Sequence, residues 1–346
     1  MKHFLSITLI LLLLSGCEKM LLGPEPENTP AGNFEALWKT IDEKYGLFPV
    51  LNINWDSLYT VYRGKINEST TDDELWNICC QLLSHLKNGH VEFVNKSITF
   101  EYLPVTFSYE RNTFSVDLVR NKYLANPAIC GEGYITYGKI KNNNIGYIYI
   151  GSFGSTLNGR DWIKDMDAVI ADLLNCDGII IDIRNNGGGF ASNDLYAASF
   201  FIDREITYYY SRQKTGPGHD DFGDPIPKKV FPRTDNLKYL KKNTVLTNRY
   251  SISGAEAFSL VLKNLSYSTQ IGDTTLGAIG EVSQVAQLPN GWTLFYPCTL
   301  TTLPDGTSPE CIGITPDIVI NNTLTNINEG TDRILECAVD YLSNQQ

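Results

Sequence analysis

Apolar positions near the amino terminus recur at the spacing of amphipathic helices. Phe34 and Leu37 begin one such series, with apolar residues three or four positions apart on one helix face. Thr71 and Glu74 have the spacing of a capping box, which opens a further helix. The pattern therefore predicts a small helical domain over residues 31–90.

After this region the pattern changes to short runs in which apolar and polar residues alternate. Such alternation is typical of strands with one buried face. The runs lie at residues 91–94, 107–110 and 113–119. They predict a small β-rich module over residues 91–140.

From residue 144 onward, strand-like and helix-like segments alternate. An almost wholly apolar strand segment is expected where both faces of a sheet are covered by helices. The predicted elements are a strand, a helix, a wholly apolar strand, a second buried strand and a helix, at 145–150, 161–174, 178–183, 244–247 and 255–264. This order predicts an α/β core over residues 141–346, behind the helical and β-rich first half.

The amino-terminal segment has the pattern of an exported leader. Its predominantly apolar run at residues 4–14 is too short to span a bilayer comfortably and has the length of a signal-peptide core. The run ends in a Leu-Ser-Gly-Cys sequence at Cys17 that resembles a bacterial lipobox. The resemblance implies a signal peptide at 1–16, lipidation of Cys17, and a protein anchored in the cell envelope on its periplasmic or surface face. The proline-containing residues 17–30 fit a flexible tether, and plain secretion with an incidental cysteine is the alternative.

Composition narrows the range of partners. The chain has 346 residues and a formal net charge of −11. This acidic balance, without a basic cluster, argues against a nucleic-acid partner, because binding phosphates requires positive charge. Of the 8 cysteines, those after Cys17 are odd in number, so at least one thiol stays free in an oxidising compartment. Cys298 and Cys311 flank a predicted hairpin and are a candidate pair, while no cysteine or histidine spacing suggests zinc or any other metal, and nothing suggests an organic cofactor.

Ser253 lies where a buried strand passes into a helix, and Gly254 follows it. The amino terminus of a helix carries partial positive charge, which stabilises an alkoxide or a tetrahedral oxyanion. Ser253 is therefore a candidate nucleophile, with the Gly254 N–H as an oxyanion donor. A simple helix cap is the alternative role for Ser253 or for Ser251.

Three consecutive glycines, residues 187–189, follow the other buried strand. Glycine lets a backbone approach a ligand closely, and ligands of open α/β sheets bind beyond the carboxyl ends of strands. The loop is thus a candidate oxyanion hole beside Ser253. A plain turn is the alternative, and a phosphate cradle is disfavoured because the loop lacks the lysine of a P-loop.

A nucleophilic serine also needs a proton acceptor, and beyond the leader the chain has three histidines. His90 follows Gly89 at a predicted helix-to-strand turn, from which a side chain projects readily into a cleft. His85 lies near the apolar face of a predicted helix, and His219 lies in a polar loop. His90 is the favoured general base, with His85 and then His219 as alternatives.

Four segments in order resemble the C-terminal processing, or tail-specific, serine peptidases over roughly residues 33–342. These segments are 86–90, 182–189, 247–256 and 313–317. The resemblance implies a crotonase-like spiral α/β core and hydrolysis of unstructured polypeptides, with no cofactor. The bacterial processing branch uses a Ser–Lys dyad, but Ala278 stands at the position of that lysine. The branch that these segments resemble more closely is the one that contains the tricorn protease core.

The tricorn-like branch uses a serine, a histidine and a glutamate, and these match Ser253, His90 and Glu310. The resemblance implies that Gly188 and Gly254 supply the oxyanion hole. This chain departs from the branch at Gly89, where the tricorn branch has a serine, directly before its histidine, that links the base to the acid. The expected function is a serine-type endopeptidase acting on peptide or unstructured protein substrates.

Two other functions remain open from the sequence. One is a catalytically weak or inactive protein on the same fold that binds peptides or apolar ligands. The other is a different acyl-transfer enzyme such as an esterase, although the chain has no Gly-x-Ser-x-Gly elbow. The oligomeric state is not indicated by any pattern.

Overall fold

The structure is a computed structural model. It describes residues 26–102, 113–155, 159–280 and 282–344. The predicted signal peptide at 1–16, Cys17, most of the tether at 17–30 and the predicted strand at 107–110 lie outside these ranges.

Helices account for the amino-terminal part and for the layers that cover the main sheet. In the described ranges the α-helices are α1 (Pro30–Lys44), α2 (Trp55–Arg63), α3 (Asp72–Leu83), α4 (Val116–Leu118), α5 (Met166–Leu173), α6 (Ala191–Ser199), α7 (Gly254–Lys263), α8 (Leu324–Asn328) and α9 (Arg333–Ser343). Short 3₁₀ segments lie at Phe48–Val50, Ser84–Leu86, Gly131–Gly133 and Trp162–Asp165, and a π-helical turn lies at Val119–Tyr123.

The strands form three sheets. They are β1 (Glu92–Val94), β2 (Thr99–Glu101), β3 (Leu124–Cys130), β4 (Ile135–Ile140), β5 (Ile145–Ile150), β6 (Gly178–Asp182), β7 (Ile206–Gln213), β8 (Ile226–Val230), β9 (Asn243–Thr247), β10 (Ser268–Gly272), β11 (Val282–Gln287), β12 (Thr293–Pro297), β13 (Thr299–Thr302) and β14 (Ile318–Val319). The strand orders are β14-β10-β9-β6-β5-β4-β3, β11-β12-β1-β2 and β13-β7-β8.

The seven-stranded sheet positions the two segments that the sequence singled out. Its strands are parallel from β14 through β5, and β4 and β3 are antiparallel additions. The neighbours β6 and β9 pair in parallel, with Asp182 opposite Leu246. Because both strands end at the same edge of the sheet, the glycine loop after β6 meets the Ser253 turn after β9.

Strand β6 is buried at every position, as its apolar run predicted. Ile179 and Ile181 belong to a core shared with α5 and α7, whereas Ile180 belongs to a core shared with α9. Alternate side chains of one strand therefore face two helical layers. The predicted α/β class is confirmed, with helices on both faces of a mostly parallel sheet.

The amino-terminal helices form as predicted and share their core with the four-stranded sheet. The Thr71 and Glu74 capping box opens α3. Phe93 of β1 stacks on Trp76 of α3 with ring centroids 4.7 Å apart, and Leu294 of β12 belongs to the same buried cluster. This core therefore combines the amino-terminal helices with a segment near residue 300.

Residues 91–140 do contain strands, but these divide between two sheets. Strands β1 and β2 pair with each other and, through β12, with β11, while β3 and β4 extend the seven-stranded sheet beyond β5. The predicted boundary at residue 140 therefore falls inside the main sheet. The strand predicted at 113–119 is wrong, because Ser115 accepts a hydrogen bond from the Leu118 N–H at 3.2 Å and caps the short helix α4.

A buried charge cluster anchors the start of the glycine loop. Arg184 has no exposed surface and pairs with Asp182 at the end of β6, with Nε 2.9 Å from Oδ1. Its Nη1 and Nη2 also donate to the two carboxylate oxygens of Asp332 at 2.8 and 2.9 Å. Asp332 caps α9 by accepting from the Leu335 N–H. The guanidinium thus ties the loop to the carboxyl-terminal helix.

We expect Asp332→Ala to lower the free energy of unfolding by about 3–5 kcal/mol, because it leaves the buried Arg184 charge without one of its two partners. Urea unfolding followed by circular dichroism measures this difference. Asp340→Ala is the matched control, since Asp340 is exposed on the same helix. Equal effects of the two substitutions would contradict the anchoring role of the cluster.

None of the helices in the ranges that the structure describes has the length and apolar content needed to cross a membrane.

Candidate active site

Ser253 occupies the turn between β9 and α7 in an unusual backbone conformation. Its φ of 54° and ψ of −113° lie in a region that residues with a Cβ rarely adopt. The Ser253 N–H donates to Glu256 Oε2 at 3.0 Å, so the first turn of α7 holds this conformation. Ser251 is instead fully buried and donates through Oγ to the Ile183 carbonyl at 2.8 Å. Of these two serines, only the half-buried Ser253 keeps access to solvent.

The glycine loop is pressed directly against this turn. A Cβ atom on Gly188 would stand 2.5 Å from the Ile252 carbonyl oxygen, 2.6 Å from the Gly254 nitrogen and 2.8 Å from Ser253 Cβ. Gly188 also has a φ of +84°, which favours glycine. The Ile252 N–H donates to the Asn186 carbonyl at 2.9 Å and joins the two loops. The predicted meeting of loop and serine is therefore present.

The oxyanion donors differ from the prediction in one respect. The Gly188 N–H donates to Asn186 Oδ1 at 2.8 Å, so in this conformation it is not available to an oxyanion. The Gly189 nitrogen lies 3.3 Å from the point where a Cβ on Gly254 would stand. Within the described residues, the amides of Gly189 and Gly254 donate to no acceptor. The candidate pair of donors is therefore Gly254, as predicted, with Gly189 in place of Gly188.

His90 is buried at the turn between α3 and β1. The backbone N–H of His90 donates to Asn88 Oδ1 at 2.8 Å, and this hydrogen bond fixes the turn. Burial lowers the pKa of His90 to about 4, although an interaction with the Gly280 backbone opposes that shift. The imidazole is therefore neutral at neutral pH, the form that a general base needs. Its Nδ1 is buried and has no hydrogen-bond partner in the described part of the chain.

Glu310 is almost wholly buried beside the same backbone segment. Its Oε1 accepts from the Gly280 N–H at 2.5 Å, and the Thr301 side chain and the Ile279 backbone are further neighbours of the carboxyl. Burial, followed by the charge of Glu256, raises the pKa of Glu310 to about 8. His90 and Glu310 thus both interact with Gly280.

His90 and Glu310 both contact the backbone of Gly280, and Glu256 links the Ser253 N–H to residues 275–278 of the same segment. No hydrogen bond within the described ranges joins Ser253, His90 and Glu310 directly. The departure at Gly89 lies against this segment. A Cβ there would stand 3.1 Å from Leu276 Cδ2 and 3.9 Å from Ala278 Cβ.

Glu256 holds that segment against the serine turn, a role that the sequence argument missed. Besides the Ser253 N–H, its carboxylate accepts from Thr275 Oγ1 at 2.6 Å, the Gly277 N–H at 2.7 Å and the Ala278 N–H at 2.9 Å. Ala278, the residue that the sequence resemblance matches to the lysine of a Ser–Lys enzyme, is thus one of its donors. The Ser-x-x-Glu spacing of a capping box was the available signal.

The alternative histidines have partners elsewhere. His85 Nε2 is 2.9 Å from the Tyr62 hydroxyl, within the amino-terminal helices. His219 Nε2 is 2.9 Å from Asp42 Oδ1, and its ring stacks on Phe48 with centroids 3.9 Å apart. The candidate pair Cys298 and Cys311 are both free thiols. In the described ranges, no group of three or more acidic, cysteine or histidine side chains is arranged to hold a metal ion.

Sequence profiles of known families match most of the chain. The profile of peptidase family S41 matches residues 144–320, and that of the tricorn protease C1 domain matches residues 26–84. The first match contains the glycine loop, Ser253 and Glu310. The second covers α1 through α3.

Individual relatives agree with the profiles. The carboxy-terminal processing protease CtpA of Bacillus subtilis is 28% identical over 182 residues, which is 53% of this chain and 36% of that protein. The tricorn protease of Thermoplasma volcanium is 28% identical over 211 residues, or 58% of this chain and 18% of that protein. This chain therefore spans about a third or less of the length of these two curated relatives.

A solved structure covers nearly the whole fold. It is that of a candidate peptidase from Parabacteroides merdae, which is 31% identical with a TM-score of 0.83 and covers 91% of this chain and 97% of its own. The predicted resemblance to C-terminal processing peptidases is thereby confirmed. The chain belongs to peptidase family S41.

Proposed function

We propose that this protein is a serine peptidase that hydrolyses peptide bonds of unstructured polypeptides through an acyl-enzyme on Ser253. The observation that carries the proposal is the close approach of Gly188 to Ser253 and Gly254. It sets a strained serine at a helix amino terminus beside two backbone amides that have no other described acceptor. Such an arrangement suits a nucleophile and the oxyanion that its attack creates.

In the proposed reaction, His90 accepts the hydroxyl proton as Ser253 Oγ bonds to the substrate carbonyl carbon. The oxyanion lies between the amides of Gly254 and Gly189. His90 then returns the proton to the leaving amine as the peptide bond breaks. Water, deprotonated by His90, attacks the ester, and Ser253 recovers its proton as the carboxylate product leaves. Ionised Glu310 stabilises the imidazolium that forms in each half.

The proposed activity is tested on the form that begins near Asn28, with a mixture of unstructured peptides and mass-spectrometric detection of fragments. A phosphonate probe added in parallel identifies the nucleophile through the labelled tryptic peptide. We expect fragments and a label on Ser253. Hydrolysis of small esters but not of peptides would instead indicate an esterase, and a folded protein that gives neither product nor label would indicate a binding protein.

Glu310 gives the proposed activity a specific pH dependence. Since its pKa is raised to about 8, the carboxyl is mostly protonated at pH 7 and ionises as the pH rises. The ionised form stabilises imidazolium, so we expect kcat/KM to rise about tenfold between pH 7 and pH 9. His90, with its pKa of about 4, is already neutral over this range. In Glu310→Gln the rise should disappear, and a rise that persists in this variant would assign the titration to another group.

We further propose that Cys17 carries a lipid that anchors the protein in the bacterial cell envelope. The lipobox-like sequence at Cys17 supports this proposal, together with the proline-containing residues 17–30, whose composition predicts a tether. Metabolic labelling with an alkyne fatty acid in a bacterial host tests it, with Cys17→Ser as the control. Label in both proteins, or in neither, would contradict lipidation at this residue.

A further inference from the structure

Asp194 is a buried carboxyl that the proposed mechanism does not use. It lies in the first half of α6, the helix that follows the glycine loop, and only 1% of its surface is exposed. Its Oδ1 is buried and has no hydrogen-bond partner in the described part of the chain. Burying a polar group without a partner costs stability. The position of Asp194 suggests a function that would explain why this unfavourable burial is kept.

The carboxyl lies beside Gly254 and close to the backbone of Gly188 and Gly189. Asp194 Oδ2 is 2.7 Å from the point where a Cβ on Gly254 would stand. The Gly189 nitrogen and Gly188 Cα lie 3.3 and 3.6 Å from that same point. The Asp194 carboxyl therefore fills the space that a side chain on residue 254 would take, between the two backbone segments that must present their N–H groups together.

We propose that Asp194 is a positioning residue of the oxyanion hole, whose carboxyl fixes the spacing of the Gly254 and Gly189 amides. The inference rests on the proposed peptidase function and adds to it a residue that acts through these two amides. Asp194 itself touches neither the nucleophile nor the base in the contacts described.

The neutral form of the carboxyl suits this role. Burial raises the pKa of Asp194 well above its usual range, and only the Leu195 backbone opposes the shift. A neutral carboxyl so close to the hole leaves the developing negative charge unopposed, whereas a carboxylate would repel it. Asparagine keeps the shape, dipole and neutrality of this group, while leucine keeps approximate size but removes the polar atoms.

The experiment compares Asp194→Ala, Asp194→Asn and Asp194→Leu in kcat, KM and inhibition by a peptide boronate, which forms a tetrahedral adduct with a reactive serine. We expect Asp194→Ala to lower kcat about 10²-fold and to raise the inhibition constant of the boronate by a similar factor. KM should change less than about threefold. Asp194→Asn should have a kcat at least about tenfold higher than that of Asp194→Ala, whereas Asp194→Leu should not. Asp203→Asn is the matched control, because Asp203 is an exposed carboxylate paired with Arg204.

The outcomes separate this inference from the proposed function. A wild type that neither cleaves peptides nor binds the boronate contradicts the peptidase itself. A working wild type in which Asp194→Asn and Asp194→Leu have equal activity shows that the volume of the side chain, and not its polar carboxyl, sets the spacing of the amides, and the role inferred for the carboxyl is then wrong. A loss confined to KM, or no loss in any variant, also overturns it. If Asp194→Ala does not fold, the comparison of asparagine with leucine still decides.

Discussion

Replacement of Ser253 by alanine should lower the rate of peptide hydrolysis by about 10⁴-fold or more, the loss typical when a serine nucleophile is removed from an intact site. The reason is local. Ser253 is the hydroxyl at the junction of β9 and α7 that keeps access to solvent, and the backbone places it against Gly188. Single-turnover and steady-state assays with one cleaved peptide measure the effect.

The fold should be unaffected by this substitution. Alanine keeps the Ser253 backbone N–H, which donates to Glu256, so the thermal midpoint should stay close to that of the wild type. Ser192→Ala is the control, because Ser192 is an exposed serine in the first turn of α6 and should retain full activity. Undiminished cleavage by Ser253→Ala would show that another residue, or a contaminating peptidase, performs the reaction.

The sequence predicted those elements whose own residues show how they are buried. A strand covered on both faces must be apolar at nearly every position, so β6 was recognisable from its sequence. The pairing of one strand with another could not be predicted in this way. Strand β1 pairs with β12, which lies about two hundred residues further along the chain, and nothing within either short strand specifies the other.

In the candidate site too, some features could be predicted from the sequence and others could not. Because β6 and β9 are adjacent and parallel, the loops that follow them had to meet, and this much could be inferred from two buried strands. Which amide is available could not be inferred. Asn186 bends back to accept the Gly188 N–H, a competition between side chain and ligand that only the three-dimensional arrangement reveals.

Buried carboxyls were the main omission. Glu256 and Asp194 lie in helices, where acidic residues are normally solvated, so neither carboxyl was expected to be buried. The structure places Glu256 under four donors and Asp194 behind Gly254. The capping-box spacing indicated the bond between Glu256 and the Ser253 N–H, but the contacts of Glu256 with residues 275–278 and the place of Asp194 beside Gly254 are tertiary.

The glycine loop offers the most discriminating test of this geometry, because two adjacent glycines have opposite surroundings. A Cβ on Gly188 would collide with the Ile252 carbonyl, the Gly254 nitrogen and Ser253, and φ is +84° there. A Cβ on Gly187 would meet no atom within 4 Å.

Gly188→Ala should therefore force the loop away from the serine turn and separate the Gly189 amide from that of Gly254. We expect kcat to fall by about 10²–10³-fold, the cost of losing an oxyanion donor, and labelling of Ser253 by the phosphonate to slow with it. Gly187→Ala should stay within about twofold of the wild type, as an exposed substitution without a clash does. Equal losses in the two variants would mean that general flexibility of the loop, rather than its close approach to Ser253, sustains catalysis. Loss in Gly188→Ala alone would place the oxyanion hole at this contact.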